Sequence, residues 1–369
     1  MKPNVFTVTS IQQLEPHLEA VRRDGFIPTL AIVFSAVQHR PADFSAVFAR
    51  YGIEVFGAVS SGEFTHAGIS EGTITGMLLD IGRDAFRVNL FDADEGFIAH
   101  IGRKVADWAR ECYENSALLV MCAGLQANAE ELVHSFVDRT ERQVPLFGGI
   151  AGIETGRNES FVFNAARVVG KGVIALAFDT RAVAVSGLAV SGWKGVGTHK
   201  IITKSQGNIV FRIDDEPVLQ MYNKYLNIGD DPTLAYEYPL LLIRDDGSYI
   251  LRGSISINED QSITYGGPVP EGAKVRFSVP PGLEIIDHAV SKVSELNRQA
   301  PDADALVLFS CKGRQFTLGP MVGDEIEAIQ KLWNVPLVGF FTNGEIGPMP
   351  DGRCELHNHT LVPVVIKQR

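Results

Sequence analysis

The chain has 369 residues, 45% of them hydrophobic and 21% charged, which allows about two domains and is typical of a globular protein. This composition excludes disorder as the overall state. The formal charge of −11 repels phosphate backbones and anionic lipid surfaces, so we expect neither nucleic acid nor a membrane among the partners.

The N-terminal segment lacks the apolar core of a secretory signal, and no apolar run approaches the ~18 residues of a membrane helix. We therefore expect a cytoplasmic protein. The four cysteines are Cys112, Cys122, Cys311 and Cys354, and none of them forms a Cys-x-x-Cys pair. Because a chain of this length needs no disulfide bonds to hold its core, we expect free thiols.

Three segments of the chain repeat one pattern of eleven residues. Each segment begins with a β-branched residue, has an apolar pair before a glycine at the fifth position, and ends in glutamate. The segments are IEVFGAVSSGE (53–63), VPLFGGIAGIE (144–154) and VPLVGFFTNGE (335–345). Internal repeats indicate architecture, so we expect one structural unit to recur three times.

An apolar run and then a segment of helical spacing precede each repeat. The runs cover residues 30–34, 117–122 and 305–309, and their continuous apolar character is typical of strands buried on both faces. Before the second repeat, apolar residues recur at three- and four-residue steps over 129–137, after a candidate N-cap at Asn128. A strand, a helix and a parallel strand make one right-handed βαβ unit.

Longer stretches of the chain also resemble each other. The strand-like run at 87–91, the helical segment at 97–112 and the run at 117–122 resemble a run from Val275, a helical segment at 283–298 and the run at 305–309. Between them, 183–211 and 238–277 hold short β-rich runs broken by Gly and Asp-Gly turns. These patterns predict an α/β protein of two related halves, built from repeated strand-helix-strand units with mixed β-sheets.

The predicted boundary between the halves lies where the periodicity is interrupted. Residues 228–232 contain a glycine, two aspartates and a proline, which are typical of a connecting loop. We therefore predict domains at 29–228 and 229–369.

The Gly-rich loops at the ends of the repeats are the candidate ligand site. In α/β sheets, ligands bind outside the carboxyl ends of parallel strands, and glycine lets the backbone approach a ligand closely. The alternative is that the glycines only pack tightly and the glutamates only cap turns. The candidate ligand-binding residues are Ser61, Gly62, Glu63, Gly149, Glu154, Asn343, Gly344 and Glu345.

Two segments resemble the signatures of a known family. Residues 339–348, GFFTNGEIGP, resemble the C-terminal signature of FIST (F-box and intracellular signal transduction) domain proteins, and residues 192–226 resemble the central signature. The resemblance extends from Thr29 to the C-terminus and implies a FIST N-terminal-type domain followed by a FIST C-terminal-type domain. It also implies a sensor, without enzymatic activity, for a small ligand such as an amino acid.

The resemblance further implies a regulated partner. Eukaryotic members carry an F-box upstream, and the stretch before Thr29 has no room for one, so the chain resembles the stand-alone bacterial form. Some members of that form are nitric-oxide-sensing haemoproteins that regulate histidine kinases or cyclic-dinucleotide enzymes, namely diguanylate cyclases and phosphodiesterases. Haem is therefore the candidate cofactor and nitric oxide the candidate signal.

Haem requires an axial ligand, usually histidine, within apolar walls. His357 and His359 form a His-x-His pair in an apparent strand, where side chains two apart share a face. His66 follows Glu63 in the first loop. These three residues are the candidate haem or metal ligands, and a structural or solvent-exposed role is the alternative for each. The family pattern matches His357, whereas His359 is particular to this sequence.

A hydrolase or lyase is the alternative class of function. Cys122 and Cys311 close the first strands of the second and third units, where α/β enzymes place nucleophiles. However, a buried cysteine is more often an inert small hydrophobe, and the sequence contains no P-loop or Rossmann pattern. We therefore expect a protein without catalytic residues.

Overall fold

A computed structural model of the chain describes residues 1–93, 98–125, 128–153, 159–229, 231–282, 284–349 and 351–369. These residues form three six-stranded sheets and a further antiparallel sheet. Parallel and antiparallel pairs occur together in each six-stranded sheet. The predicted α/β class with mixed sheets is confirmed, and so is the similar architecture of the two halves.

The chain up to Gly187 supplies all of the first sheet, four strands of the second and both edges of the third. Its strands are β1 (Lys2–Val8), β2 (Leu30–Ala36), β3 (Glu54–Ser60), β4 (Glu63–Thr65), β5 (Gly68–Ser70), β6 (Ile74–Asp80), β7 (Phe86–Asp92), β8 (Ser116–Ala123), β9 (Leu146–Ile150), β10 (Val162–Phe163), β11 (Val168–Val169), β12 (Gly172–Asp179) and β13 (Val183–Gly187). Its helices are α1 (Ile11–Arg23), α2 (Pro41–Arg50), α3 (Ile98–Cys112) and α4 (Ala129–Arg139).

The remainder supplies the fourth sheet, the three central strands of the third and two edge strands of the second. Its strands are β14 (Lys194–Gln206), β15 (Ile209–Ile213), β16 (Glu216–Pro217), β17 (Leu240–Ile243), β18 (Tyr249–Arg252), β19 (Ser254–Ile257), β20 (Ile263–Tyr265), β21 (Lys274–Val279), β22 (Ala305–Cys311), β23 (Leu337–Thr342), β24 (Glu345–Pro348), β25 (Cys354–His357) and β26 (Leu361–Gln368). Its α-helices are α5 (Val218–Leu226), α6 (Glu284–Gln299), α7 (Lys312–Leu318) and α8 (Val322–Lys331).

Each six-stranded sheet combines four strands of one unit with a hairpin from another unit. The orders are β1-β6-β2-β3-β10-β11, β7-β12-β8-β9-β24-β25 and β13-β26-β22-β23-β4-β5. The hairpin that follows β3 joins the third sheet, the hairpin that follows β23 joins the second, and the hairpin that follows β9 joins the first. The three units therefore exchange hairpins in a closed cycle.

This exchange explains the glycine at the fifth position of each repeat. In the sheets each of these glycines lies opposite a large apolar residue of the incoming hairpin: Gly57 opposite Phe163, Gly148 opposite Ile346 and Gly339 opposite Phe64. A Cβ at Gly57 would lie 2.1 Å from the Phe163 ring, and one at Gly339 would lie 2.2 Å from the Phe64 ring. At Gly57 and Gly339 a side chain from another unit packs on the bare backbone, whereas a Cβ at Gly148 would lie 1.8 Å from the Val120 carbonyl oxygen of the neighbouring strand.

The three sheets share one apolar core and cover their outer faces with helices. In β2, Leu30, Ile32 and Phe34 join the shared core, whereas Ala31 and Val33 pack with α1 and α2. The strands β8 and β22 divide their side chains in the same way, with α3 and α4 outside β8, and α6 and α8 outside β22. Burial on both faces is the reason for the continuous apolar runs in the sequence.

The fourth sheet is inserted between β13 and α6. Its order is β18-β17-β21-β14-β15-β20-β19, and β16 pairs with β15. In chain order, β21 precedes α6 just as β7 precedes α3. In the third sheet, however, the edge position that β7 takes in the second sheet is taken by β13 and not by β21. The domain boundary at 228/229 stays a prediction. None of the described helices combines the length and apolar character that crossing a bilayer demands.

Replacing Gly339 with alanine is expected to lower the free energy of unfolding by about 1–3 kcal/mol or more, because the added methyl overpacks the contact with Phe64. Urea unfolding at equilibrium measures this change. Gly323→Ala on α8 is the matched control, since a Cβ there meets no atom within 4 Å and alanine favours helix. Equal midpoints for both variants would contradict the packing role of Gly339.

Candidate functional site

The loops at the ends of the repeats converge at one end of the three sheets. We call residues 60–63, 151–154 and 342–345 the first, second and third loops. The Ser61 N–H donates to the Phe341 carbonyl at 3.3 Å, and the Phe341 N–H donates to the Gly62 carbonyl at 2.9 Å. These two hydrogen bonds join the first loop to β23, immediately before the third loop.

The second loop contacts both of the others. The Gly152 N–H donates to the Val59 carbonyl at 2.8 Å, and the Asn343 N–H donates to the Ile150 carbonyl at 3.1 Å. Gly149 lies opposite Glu345 in the second sheet, against the third loop. The structure thus brings together the candidate residues of the three loops, except Glu154, which lies outside the described residues.

A hydroxyl three residues before the glutamate organises the first and third loops. The Ser60 hydroxyl donates to Glu63, and the Thr342 hydroxyl donates to Glu345. Glu63 also accepts a hydrogen bond from the Thr73 hydroxyl at 3.0 Å. Burial raises the pKa of the Glu63 carboxyl, and these hydrogen bonds only partly offset that effect.

Glu345 lies behind the surface of the site. It is fully buried, and its carboxylate accepts hydrogen bonds from the Thr360 N–H at 3.2 Å and the Thr360 hydroxyl at 2.7 Å. Burial raises the pKa of Glu345 to about 7. The hydrogen bonds to Thr360 therefore connect the third loop to the segment that follows β25.

A cavity at this end has a volume of about 870 Å³, and we call it the central cavity. Its polar wall comes from the third unit and includes Cys311, Lys312, Asn343, Asn358 and His359. The cavity lies beyond the carboxyl ends of β22 and β23, where ligands bind in α/β proteins.

The central cavity also has an apolar wall, which comes mostly from the inserted region. Leu234, Tyr236, Ile255 and Phe316 line it, and all four belong to the exposed large hydrophobic side chains. Phe316, on α7, is 74% exposed. Apolar side chains that gather at a cavity mouth are a common feature of binding sites.

A second, smaller cavity adjoins the first. It has a volume of about 250 Å³, is lined by Ser61, Gly62 and Glu63, and shares Ile153 and Lys312 with the central cavity. We call it the small cavity. Glu63 and the third loop therefore lie beside connected hollows rather than on separate surfaces.

Two of the candidate histidines lie away from the central cavity. His66 is exposed between β4 and β5, and its backbone N–H donates to the Leu337 carbonyl at 3.2 Å. His357 ends β25, and its Nε2 donates to the Gly347 carbonyl at 3.0 Å. The His357 ring lines another cavity, of about 440 Å³, and burial lowers its pKa to about 4.

His359 lines the central cavity, so the two imidazoles of the His-x-His pair do not share a face. The strand ends at His357, and His359 adopts a left-handed φ of 54°. The His359 ring lies edge-on to Trp193, and its Nδ1 is buried without a hydrogen-bond partner among the described residues. A Cβ at Gly253 or Gly313 would come within 2.9 Å of the ring. Burial lowers the pKa of His359 to about 3.

The two cysteines proposed as nucleophiles are buried thiols. Cys311 lines the central cavity, and its sulfur accepts a hydrogen bond from the His359 N–H at 3.1 Å. Burial raises the pKa of Cys311 well above its usual value and that of Cys122 to about 12. Since the thiolate is the nucleophile, both environments oppose nucleophilic attack. All four cysteines are free.

One cluster has the composition of a metal site but is an ion-pair network. Glu130, His134 and Glu355 bring their ligand atoms within 4.8 Å of one another. Arg252 pairs with Glu130, and Arg244 pairs with Glu355 at 3.0 Å. The two guanidinium groups already neutralise the two carboxylates, so little net negative charge remains in this cluster to bind a cation.

Sequence reasoning missed part of the site. Lys312 gave no signal beyond its position next to Cys311, and Asn358 gave none beyond following His357, where the family pattern commonly has a His-Asn pair. Tyr236 and Ile255 gave none, because they reach the cavity only through the placement of the inserted region.

The repeated loops, the adjoining cavities and the inserted antiparallel sheet define an α/β protein with a two-part site. Residues 29–216 match the FIST N domain and residues 219–348 match the FIST C domain. The chain belongs to the FIST family, as its signatures predicted. FIST domains are sensor domains of signal transduction, which gives the chain a general sensor role.

The chain is also similar to mycobacterial proteins. It is 24% identical over 230 residues to the uncharacterized protein Mb0898c of Mycobacterium bovis, which is 58% of either chain. It is 24% identical over 228 residues to the uncharacterized protein Rv0628c of Mycobacterium tuberculosis, which is 58% of this chain and 59% of the relative. The matched region thus covers less than two thirds of these relatives.

Proposed function

We propose that the chain senses a small molecule that binds in the central cavity and that it passes the signal to a separate protein. The observation that carries this proposal is the position of the cavity, between the carboxyl ends of β22 and β23 and the inserted region at Tyr236 and Ile255. A ligand that contacts both walls stabilises one arrangement of them over others. The response is limited by the difference in ligand affinity between the arrangements.

The size and lining of the central cavity favour an amphipathic ligand. Its volume of about 870 Å³ lies within the range of small-molecule sites, which is roughly 300–1,000 Å³. Apolar groups of the ligand would cover Leu234 and Phe316, and its polar groups would bond to Asn343 and Asn358. The ligand would thus remove exposed apolar surface from water.

The partner in this proposal is a cytoplasmic signalling protein of bacteria. A histidine kinase, a diguanylate cyclase or a phosphodiesterase is the kind of partner that the family resemblance supports. Neither nucleic acid nor a membrane surface suits the net charge of −11.

Haem is the candidate ligand favoured by a second observation. Among the three candidate histidines, His359 alone lines the central cavity, with an unpartnered Nδ1 and glycines beside its ring. This residue fits an axial ligand, whereas the His357 ring already donates to Gly347. Bound haem would supply an iron that coordinates nitric oxide. The part of this chain would be to hold the group at His359 and to cover it with apolar side chains.

An amino acid is the ligand that would suit the small cavity instead. Glu63 and Lys312 line that cavity and offer opposite charges to the two ends of a zwitterion. In this version the central cavity would not be the site. A Cys311-dependent hydrolase or lyase is less well supported, because burial keeps the thiol protonated. Labelling of Cys311 by thiol-directed electrophiles would favour that alternative.

A thermal-shift screen with amino acids and hemin tests the proposal, because a ligand that binds only the native state raises the melting temperature. We expect a stabilising ligand whose effect is reduced in Phe316→Ala. Ile69→Ala is the matched control, since Ile69 is also an exposed apolar residue, 39% accessible, but lies on β5 outside the cavities described above.

The outcomes separate the versions. A shift by hemin, with a Soret band lost in His359→Ala and kept in His66→Ala, supports haem. A shift by an amino acid that is lost in Gln38→Ala, at the small cavity, and kept in Phe316→Ala moves the site there. Equal shifts in Phe316→Ala and Ile69→Ala for every stabilising ligand would overturn the central cavity as the site.

A further inference from the structure

Lys312 occupies the junction of the two cavities. It is the first residue of α7, directly after β22, and its side chain lines both cavities. The ammonium donates to the Ser61 carbonyl at 2.7 Å. No carboxylate among the described residues lies within salt-bridge distance of Lys312, in contrast to Lys194, which pairs with Glu284 at 2.7 Å.

The surroundings of the Lys312 amine are partly apolar. Its Nζ lies 5.7 Å from the centroid of the Phe341 ring, and the side chain is partly buried. Burial lowers the pKa of the ammonium, and the nearby charges of Glu71 and Glu63 oppose this only in part. A lysine in such surroundings holds more neutral amine, which is the nucleophilic form.

We propose that Lys312 is a covalent capture site for a small aldehyde with an apolar body, bound in the central cavity. This proposal rests on the proposed ligand site and specifies the class of ligand. The apolar body would lie against Tyr236, Ile255 and Phe316, which leaves its carbonyl carbon toward the amine at the polar wall.

The reaction is a condensation without a redox step. The nitrogen lone pair of Lys312 adds to the carbonyl carbon, and a C=N bond then replaces the C=O bond. The carbonyl oxygen leaves as water with the two protons lost by nitrogen. The imine is reversible, as a sensor requires.

The test uses 2-naphthaldehyde with sodium cyanoborohydride, which converts an imine into a stable amine, on the full chain at neutral pH. Peptide mass spectrometry then measures the occupancy of each lysine. We expect several-fold higher occupancy at Lys312 than at Lys194, whose side chain is 63% exposed. Phe316→Ala should reduce the adduct at Lys312 and leave that at Lys194 unchanged.

Two controls separate this proposal from the proposed function. Lys312→Arg keeps the positive charge but cannot form the adduct, and its melting temperature reports whether the fold is intact. 2-Naphthylmethanol has the same apolar body without the carbonyl, so its thermal shift reports on the cavity alone. Equal labelling of Lys312 and Lys194 overturns the capture site. In that case, a thermal shift by 2-naphthylmethanol that is reduced in Phe316→Ala would still support the central cavity as a ligand site. No such shift would count against the cavity as a site for this class of ligand.

Discussion

Replacing Glu325 with alanine is expected to lower the free energy of unfolding by about 3–5 kcal/mol, because it leaves a buried charge without its partner. Arg314 and Glu325 have side chains that are 0% and 2% exposed. The Arg314 Nε donates to Glu325 at 2.8 Å, and another guanidinium nitrogen donates to the Ser191 carbonyl at 2.7 Å. The pair therefore also holds the segment that leads into β14.

Urea unfolding of matched variants measures this effect. Glu327→Ala on the same helix removes an exposed ion pair with Lys331 and should change stability by less than about 1 kcal/mol. The double variant Arg314→Met, Glu325→Leu removes both charges and should recover much of the loss. If Glu325→Ala is no more destabilising than Glu327→Ala, the pair does not anchor the segment.

Replacing Glu345 with glutamine is expected to stabilise the protein relative to the wild type as the pH rises. Burial raises the pKa of Glu345 to about 7 from the ordinary 4.5, so the native state holds its proton more tightly than the unfolded state does. The wild type gains stability from this proton below about pH 4.5 and loses it progressively as the pH rises through about 7. Glutamine cannot ionise and loses nothing.

The difference in unfolding free energy between Glu345→Gln and the wild type should therefore grow by about 2 kcal/mol between about pH 5 and about pH 8. Other titrating groups contribute equally to both proteins and cancel. Glu327→Gln, at an exposed position, serves as the control and should show a constant difference. A constant difference for Glu345→Gln as well would contradict the raised pKa.

Local patterns in the sequence predicted much of the fold. The runs at 30–34, 117–122 and 305–309 became strands buried on both faces, because their two sets of side chains meet different apolar clusters. The helical spacing over 129–137 became α4, with its N-cap at Asn128. Such elements depend on periodicity within one segment, which a sequence displays directly.

The hairpin exchange could not be predicted, because strand pairing between units leaves no periodic signal. The repeated glycine was visible, but the phenylalanine from another unit that packs on Gly57 and on Gly339 was not. In the site, convergence of the loops followed from the repeat, whereas Tyr236 and Ile255 depend on the docking of the inserted region. The left-handed backbone of His359 also separated two imidazoles that strand geometry would have aligned.

The cyclic exchange of hairpins has a consequence for biosynthesis. Thr65 pairs with Val338, 273 residues further along the chain, so the third sheet stays incomplete until the ribosome has made β23 and β26. Until then, the hairpin of β4 and β5 has no β23 to pair with, and unpaired strand edges promote aggregation. Closing such distant contacts also slows folding. Removal of β24 and β25 would thus damage the second sheet, whose other four strands come from the first half of the chain.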